Sequence, residues 1–418
     1  MPMLKSRTTA YCLIAFLLPA ISAQTTMASD FSLPFVSISD LGNVYSGWAA
    51  EAYDASTTYT NPAGLTLITK PQIIIAAVDV TGHTQFQGTA TSLLGAPQTG
   101  TATGTAGGFA PLLYAAAPLA KNIVFGFGVN APFGLGTNYP KNSIVRYAAT
   151  RSQIVDVDLS PSLGVKINDK LSAGVGVDFQ RLTVTLDNMY GLGIPPDSEG
   201  QNHLAGWGYG WHGGLLYQLM PSTRVGLSYN SQTMFHTTGD SEVFSTTGET
   251  RTTNQKANTP LPARAQVSIY HEVTPRWALM GSIFYDRWST LNQITLKNTM
   301  TTVGITPVTI LLQYHDTFDF AVGTNVKVTE KLMLRTGVQF FNTPSNNRDR
   351  SVTDPVGTMT LLGVGAHYQQ NAYIGYDVGY AHDFFEQTVI NFVTPFNTVI
   401  GHSTMGTNIF GLQVTCNI

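Results

Sequence analysis

The chain has 418 residues, 43% apolar and only 11% charged, with a formal net charge of −3. Soluble domains carry about 25% charged residues, so this surface does not mainly face water. No apolar run reaches the length of about 18 residues that a helical span needs, and the mild acidity argues against nucleic acid as a partner.

At the N-terminus Lys5 and Arg7 precede an apolar stretch from Tyr11 to Leu18, followed by Pro19, Ala20 and Ser22-Ala23. This is the pattern of a secretory signal peptide. Cleavage fits after Ala23 or Ala28. With Ala28 as the boundary, residues 1–28 leave, and the mature chain carries a net charge of −5 with Cys416 as its one thiol. Residues 29–70 lack sustained alternation but hold Phe31, Phe35, Tyr45 and Trp48. Such aromatic content argues for a folded segment, a plug or hatch, rather than a loose tail.

From residue 71 onward apolar and polar residues alternate. Val155, Val157, Leu159, Leu163, Val165 and Ile167 oppose Asp156, Asp158, Ser160, Ser162 and Lys166; Phe410, Leu412, Val414, Cys416 and Ile418 oppose Gly411, Gln413, Thr415 and Asn417. A period of two means strands with one apolar face. Tight turns are expected at Ala120-Lys121-Asn122, Asn168-Asp169-Lys170, Pro221-Ser222-Thr223, Thr274-Pro275-Arg276, Thr329-Glu330-Lys331 and Gln369-Gln370-Asn371. Each is a hairpin tip. Six hairpins plus a first strand (about 72–82) and a last (about 404–418) give fourteen strands. The expected fold is an all-β, 14-stranded antiparallel transmembrane barrel over 71–418, with the hatch in its lumen and both termini at the short-turn, periplasmic side.

Long outward loops are expected at 83–107, 131–152, 188–205, 236–261, 289–311, 343–357 and 386–403. Within them Met189, Tyr190, Leu192 and Ile194 form an apolar cluster, either a landing surface for a greasy ligand or a loop packed on its neighbours. In the third strand, Asn130-Ala131-Pro132-Phe133-Gly134 interrupts the alternation. Pro132 has no N–H for the ladder. Either it ends the strand as the loop begins, the simpler reading, or it pushes the strand inward and leaves a gap in the wall. In the fifth strand Val175, Val177 and Phe179 continue as Leu182, Val184 and Leu186 on the opposite parity. That shift predicts a bulge near Gln180-Arg181 turning Arg181 and Thr183 into the lumen. In the ninth, Ile294 and Leu296 are expected to face out, Thr295 and Lys297 in, with Met280 and Phe284 pointing inward. Asp156, Asp158, Asp178, Arg335 and Asp377 are expected to pair inside with hatch groups or water.

The nine histidines show no metal-ligand spacing and the cysteines no pairing, so neither a metal nor another cofactor is expected. His402-Ser403 is the nearest approach to a hydrolase pair, without a surrounding motif.

Tyr45-Ser46-Gly47, Asp54-Ala55 before Asn61-Pro62-Ala63-Gly64, the APFGLGTNY segment around Pro132, Gly206-Trp207-Gly208-Tyr209-Gly210-Trp211 and Trp288-Ser289 occur in that order. This set resembles the FadL family of outer-membrane transporters of long-chain fatty acids, which includes relatives for aromatic hydrocarbons. The resemblance implies a non-enzymatic, passive, monomeric carrier in the Gram-negative outer membrane, inserted by the barrel-assembly machinery. It also implies a hatch bearing Asn61-Pro62-Ala63-Gly64 and a lateral opening at the third strand, which favours the gap at Pro132. Arg181 and Lys297 then stand near the positions where the family meets a carboxylate. Phe31 matches an N-terminal aromatic turned toward the ligand, and Thr183, Met280 and Phe284 complete the expected pocket. A water-filled porin is the competing class.

Overall fold

The structure is a computed structural model that describes residues 35–92, 95–191, 197–394 and 397–418. Fourteen wall strands follow one another: β1 (Gln72–Ser92), β2 (Gln98–Ala120), β3 (Ile123–Asn130, resuming as Gly134–Asn138), β4 (Arg151–Lys166), β5 (Leu171–Tyr190), β6 (Ser198–Met220) and β7 (Thr223–Asn230 and Thr233–Ser245). Then come β8 (Gly248–Leu261 and Arg264–Thr274), β9 (Trp277–Asp286 and Gln293–Thr301), β10 (Gly304–Leu311 and Thr317–Lys327), β11 (Leu332–Phe341), β12 (Met359–Gln369), β13 (Ile374–Phe385 and Thr388–Val393) and β14 (Asn397–Asn417). Each pairs antiparallel with its predecessor, and β1 pairs with β14 from Gln72↔Asn417 to Ser92↔Asn397. That last ladder closes the cylinder and removes both edges. All six expected turns join the strands on one side.

Two solvents explain the alternation. On β4, Val157, Leu163 and Val165 are exposed on the outer wall, whereas Asp156, Asp158, Ser160 and Ser162 are buried in the lumen. Cys416 shares the outward parity of Leu412 and Val414.

The expected loops are mostly strand. Thr81–Ala90 and Gln98–Gly107 stay paired through the predicted 83–107 loop. There Thr101, Thr103 and Thr105 face out while Ala102, Gly104 and Ala106 face in. The alternation persists with threonine as outer partner, a β-branched residue that favours extended chain. At 21 residues, β1 is about twice the length a tilted strand needs to cross hydrocarbon, so the wall continues beyond it. The 188–205, 236–261, 289–311 and 386–403 regions likewise contain paired strand. Segment 342–358 is a true loop, but it folds inward: Val352 and Val356 are fully buried, and Asp354 is nearly so.

Residues 35–67 lie against the inner wall. They form α1 (Trp48–Glu51), α2 (Thr57–Thr60) and a 3-10 turn (Pro62–Leu67). Val36, Leu41, Val44, Tyr45 and Leu65 are fully buried among inward-facing wall residues. Wall hydroxyls meet the segment's backbone: the Gly47 N–H donates to Ser282 Oγ at 2.9 Å, Ala49 N–H to Ser268 Oγ at 3.1 Å, and Ser228 Oγ donates to Thr60 O at 2.6 Å. Val44 and Tyr45 adopt positive φ, 48° and 62°, strain that such over-determination sustains. The close fit requires glycine at Gly226, where a Cβ would collide with the Ala49 carbonyl.

Gly226→Val is therefore expected to leave the barrel folded but undock this segment. Its protease cleavage should accelerate on the order of tenfold, as overpacking of one or two kcal/mol implies. Limited proteolysis of the heat-modifiable, folded band checks this; unchanged resistance would contradict the fit.

Candidate functional site

The wall is broken at one place in the β2–β3 seam. β2 pairs with β3 from Ala120↔Ile123 to Leu113↔Val129, and again at Ala106↔Thr137 and Thr105↔Asn138. Between these stretches, residues 107–112 of β2 have no ladder partner on β3 among the described residues. On its other flank β3 stays attached to β4, through Asn130↔Asp158, Gly134↔Val155 and an Asp156 N–H donating to Phe133 O at 3.1 Å. The seam opens on one side only. Both lips carry a residue without an N–H, Pro111 and Pro132. The reading in which Pro132 merely ends the strand fails, because Gly134 restarts it. Asn130, buried, donates to Ser160 Oγ at 3.1 Å and to Asp158 Oδ2 at 3.4 Å. Ala131 and Pro132 are buried at the break.

Two cavities lie inside. The lower one is lined by Pro132 and Phe133 of the break, by Trp48 and Tyr59 of the N-terminal segment, and by Asp178 and Arg264 of the wall. The upper one is lined mainly by Ile154, Val184, Leu186, Leu204, Leu296 and Ile310, with Thr353 and Asp354 of the inward loop. Phe133 stands between them. It packs edge-on against the fully buried Trp288 (6.5 Å between centroids), which in turn meets Tyr314 edge-on at 5.9 Å. Tyr314 donates to Asp354 Oδ2 at 2.9 Å.

The expected headgroup cations face the other way. β5 stays in register with β6 from Leu171↔Tyr217 to Thr185↔His203, so no bulge occurs at Gln180-Arg181. Leu182 and Val184 point into the lumen; Arg181 and Thr183 point outward, with the Arg181 guanidinium over the Trp207 ring at 5.6 Å. On β9, Leu296 is buried in the upper cavity and Ile294 lines it, so Lys297 is exposed on the outside, opposite Lys256. Apolar residues face out only where the outside is hydrocarbon. Above it the exterior is polar and the cavity supplies the apolar side, so the preference reverses without any bulge.

Met280 and Phe284 do point inward, but toward the N-terminal segment. Met280 Sδ accepts from Asn43 Nδ2 at 3.9 Å, and Phe284 packs on Trp48 at 6.0 Å. Asn61 Nδ2 donates to Ala49 O at 2.6 Å and to the wall carbonyl of Leu215 at 3.1 Å, while its Oδ1 accepts from Ala63 N–H. Pro62 and Gly64 then shape the 3-10 turn. Met189 and Tyr190 end β5 as paired strand opposite Glu199 and Ser198, rather than in a free loop. Phe31, Leu192 and Ile194 lie outside the described residues.

A polar constellation escaped the sequence reading. His212 Nδ1 sits 2.7 Å from Asp178 Oδ1, and its Nε2 is 3.0 Å from the Thr58 carbonyl and 2.9 Å from Ser162 Oγ. Ser162 Oγ also donates to Thr58 O at 3.1 Å, and neither Ser162 nor His212 lines either of these two cavities. The arrangement ties the N-terminal segment to the wall rather than presenting a nucleophile. His402 and Ser403 occupy opposite faces of β14. Of the other inward charges, Arg335 pairs with Asp377, which accepts from His367 Nδ1 at 3.0 Å; Arg224 donates to Glu51 O at 2.9 Å, and Gln413 to Asp54 at 2.7 Å. The carboxylate of Asp156 has no hydrogen-bond partner among the described residues.

A closed fourteen-stranded cylinder with an occupied lumen and a one-sided seam defines an outer-membrane transport barrel. The chain matches the family described as outer membrane protein transport protein (OMPP1/FadL/TodX) over residues 19–417, and it belongs to that family. It is 26% identical over 395 residues to the 47 kDa outer membrane protein of Pasteurella multocida, covering 87% of this chain and 89% of that one. It is 26% identical over 419 residues to the long-chain fatty acid transport protein of Escherichia coli K12, covering 89% and 91%. In fold it is similar to a Pseudomonas aeruginosa FadL homologue (TM-score 0.84, 20% identity, 93% and 99% covered) and to the Pseudomonas putida toluene transporter TodX (0.70, 16%, 94% and 100%). The protein is thus an outer-membrane β-barrel of Gram-negative type, in a family of transporters and channels.

His212→Ala leaves the buried Asp178 carboxylate without its ring partner and should cost about 2 kcal/mol, read as a lower urea midpoint of the barrel folded in vesicles. Arg181→Ala, by contrast, should leave ligand retention unchanged within about twofold; a large loss would return Arg181 to the lumen.

Proposed function

We propose that this protein carries hydrophobic small molecules passively from the outer surface into the outer membrane, leaving sideways through the β2–β3 seam. The carrying observation is the unpaired stretch 107–112 facing the Pro132 break, with the lower cavity lined by Pro132 and Phe133 of that same break. A ligand taken up in the upper cavity passes the Phe133–Trp288 contact into the lower one. Residues 29–70 act as the hatch, and its rearrangement at Trp48 and Tyr59 connects the lower cavity to the seam. Transfer of a chain from water gains about 0.8 kcal/mol per methylene, so no fuel or covalent chemistry is needed. Lateral exit delivers such a ligand to hydrocarbon instead of to water. Long-chain fatty acids, named for curated relatives, and aromatic hydrocarbons, named for structural neighbours, are the candidate cargoes. The segment packed in the lumen argues against a wide aqueous porin. The mature protein works as a monomer inserted by the barrel-assembly machinery after loss of residues 1–28.

Deleting Ala131, Pro132 and Phe133 should let β3 pair continuously with β2. Uptake of radiolabelled oleic acid and methyl oleate by cells lacking other transporters should then fall to the level without the protein, while the barrel still folds. Undiminished uptake of both would refute lateral exit.

A further inference from the structure

We infer that the cavities select cargo in an uncharged state and disfavour a carboxylate anion; the inference rests on the transport reading above and specifies its ligand. A buried anion needs a cation or several donors at its head. The upper cavity offers neither. Its lining is aliphatic apart from three threonines and one acid, Asp354, among the described residues. The basic side chains adjacent in sequence to its walls, Lys256 beside Ala257 and Lys297 beside Leu296, project outward, as does Arg181, and the guanidinium of Arg350 in the inward loop is held by Ser345 and Asn347. The residues outside the described ones and after residue 28 contain no lysine or arginine. The lower cavity does contain a guanidinium, Arg264, but it is clamped by Asp286 through two bonds of 2.7 and 2.8 Å. The same cavity presents Asp178, whose carboxylate already meets His212 Nδ1 at 2.7 Å, and Asp158 lies beside it across the Asp158↔Gln180 pair.

An anion would therefore leave water for cavities whose cations are already engaged, whereas an ester, alcohol or hydrocarbon would lose little. The lining supplies hydroxyls, Thr237 and Thr259, which suit a neutral polar head. Fatty acids pass this filter in their protonated form; aromatic and aliphatic hydrocarbons pass it directly. Asp354 is the specificity-determining residue of the upper cavity.

The test is a competition. Purified full-length mature barrel in a nonionic detergent is incubated with equimolar oleate and methyl oleate at about pH 9, above the carboxyl range. Lipid retained after gel filtration is quantified by mass spectrometry and normalised to protein-free micelles. Methyl oleate should exceed oleate by about tenfold or more. Asp354→Asn, which keeps the acceptor for Tyr314, should narrow that ratio, and Leu186→Lys, which adds a cation to the lining, should shift it toward oleate. Equal or greater retention of oleate by the native barrel overturns the inference while leaving transport intact. An unchanged ratio in both variants overturns the assignment to this cavity. Retention of neither lipid overturns the transport reading and this inference together.

Discussion

Backbone amides in hydrocarbon must find partners within the protein. That constraint fixes the long β1–β14 seam, the inward burial of the polar stripe where the outer wall is apolar and the character of the β2–β3 breach. An opening in such a wall exposes donors and acceptors to lipid, so it is tolerable only where few are left over. The β2–β3 seam meets the requirement by composition. Proline at both lips removes an N–H from each, and the carbonyl of Phe133 and the amide of Asp156 satisfy each other across the intact flank. The breach is consequently narrow, one-sided and reproducible, a property of sequence and not of local melting.

The same accounting governs the N-terminal segment. A plug held by interlocked large side chains could not move without opening voids of several kcal/mol. Here one part is greasy, around Val36, Leu41, Val44 and Tyr45. The part from Thr58 to Asn61 is held by hydroxyls, an imidazole and amide groups, namely Ser162, Ser228, His212 and Asn61. Such bonds are worth about 1 kcal/mol net when water can replace them. The segment can thus yield where such bonds hold it, at Tyr59 of the lower cavity, while remaining anchored through its apolar part. The Phe133–Trp288–Tyr314 stack joins that lower cavity to the inward loop 342–358, so both cavities share one set of aromatic contacts.

Sequence alone made the periplasmic half of the molecule readable. Turn residues such as Asn168-Asp169-Lys170 and Thr274-Pro275-Arg276 mark hairpins by local chemistry, and Val157, Leu163 and Val165 mark the outer wall because hydrocarbon lies there. The outer half resisted for physical reasons. Thr101 to Ala106 alternates without hydrophobic contrast, so paired strand looked like loop. Loop 342–358 carries Val352 and Val356 inward, a tertiary choice that no local period reveals. Ser162, Asp178 and His212 converge only once the registers of three strands are set.

Arg181 and Lys297 show the deeper reason. A period of two assigns residues to two faces but does not say which face is which; that label comes from the solvent on each side. Up to Phe179 on β5 the exterior is lipid, and apolar parity means outward. Two residues higher the exterior carries Arg181 stacked on Trp207, and the apolar parity, Leu182 and Val184, belongs to the cavity. The strand does not bend; the labels exchange. The height of that exchange marks where bilayer hydrocarbon ends and the greasy lumen begins. A hydrophobic ligand therefore meets an apolar surface inside the barrel just where the outer wall turns polar. An unbroken ladder would offer it no passage from that surface into lipid, and on the proposed route the break at Pro132 supplies one.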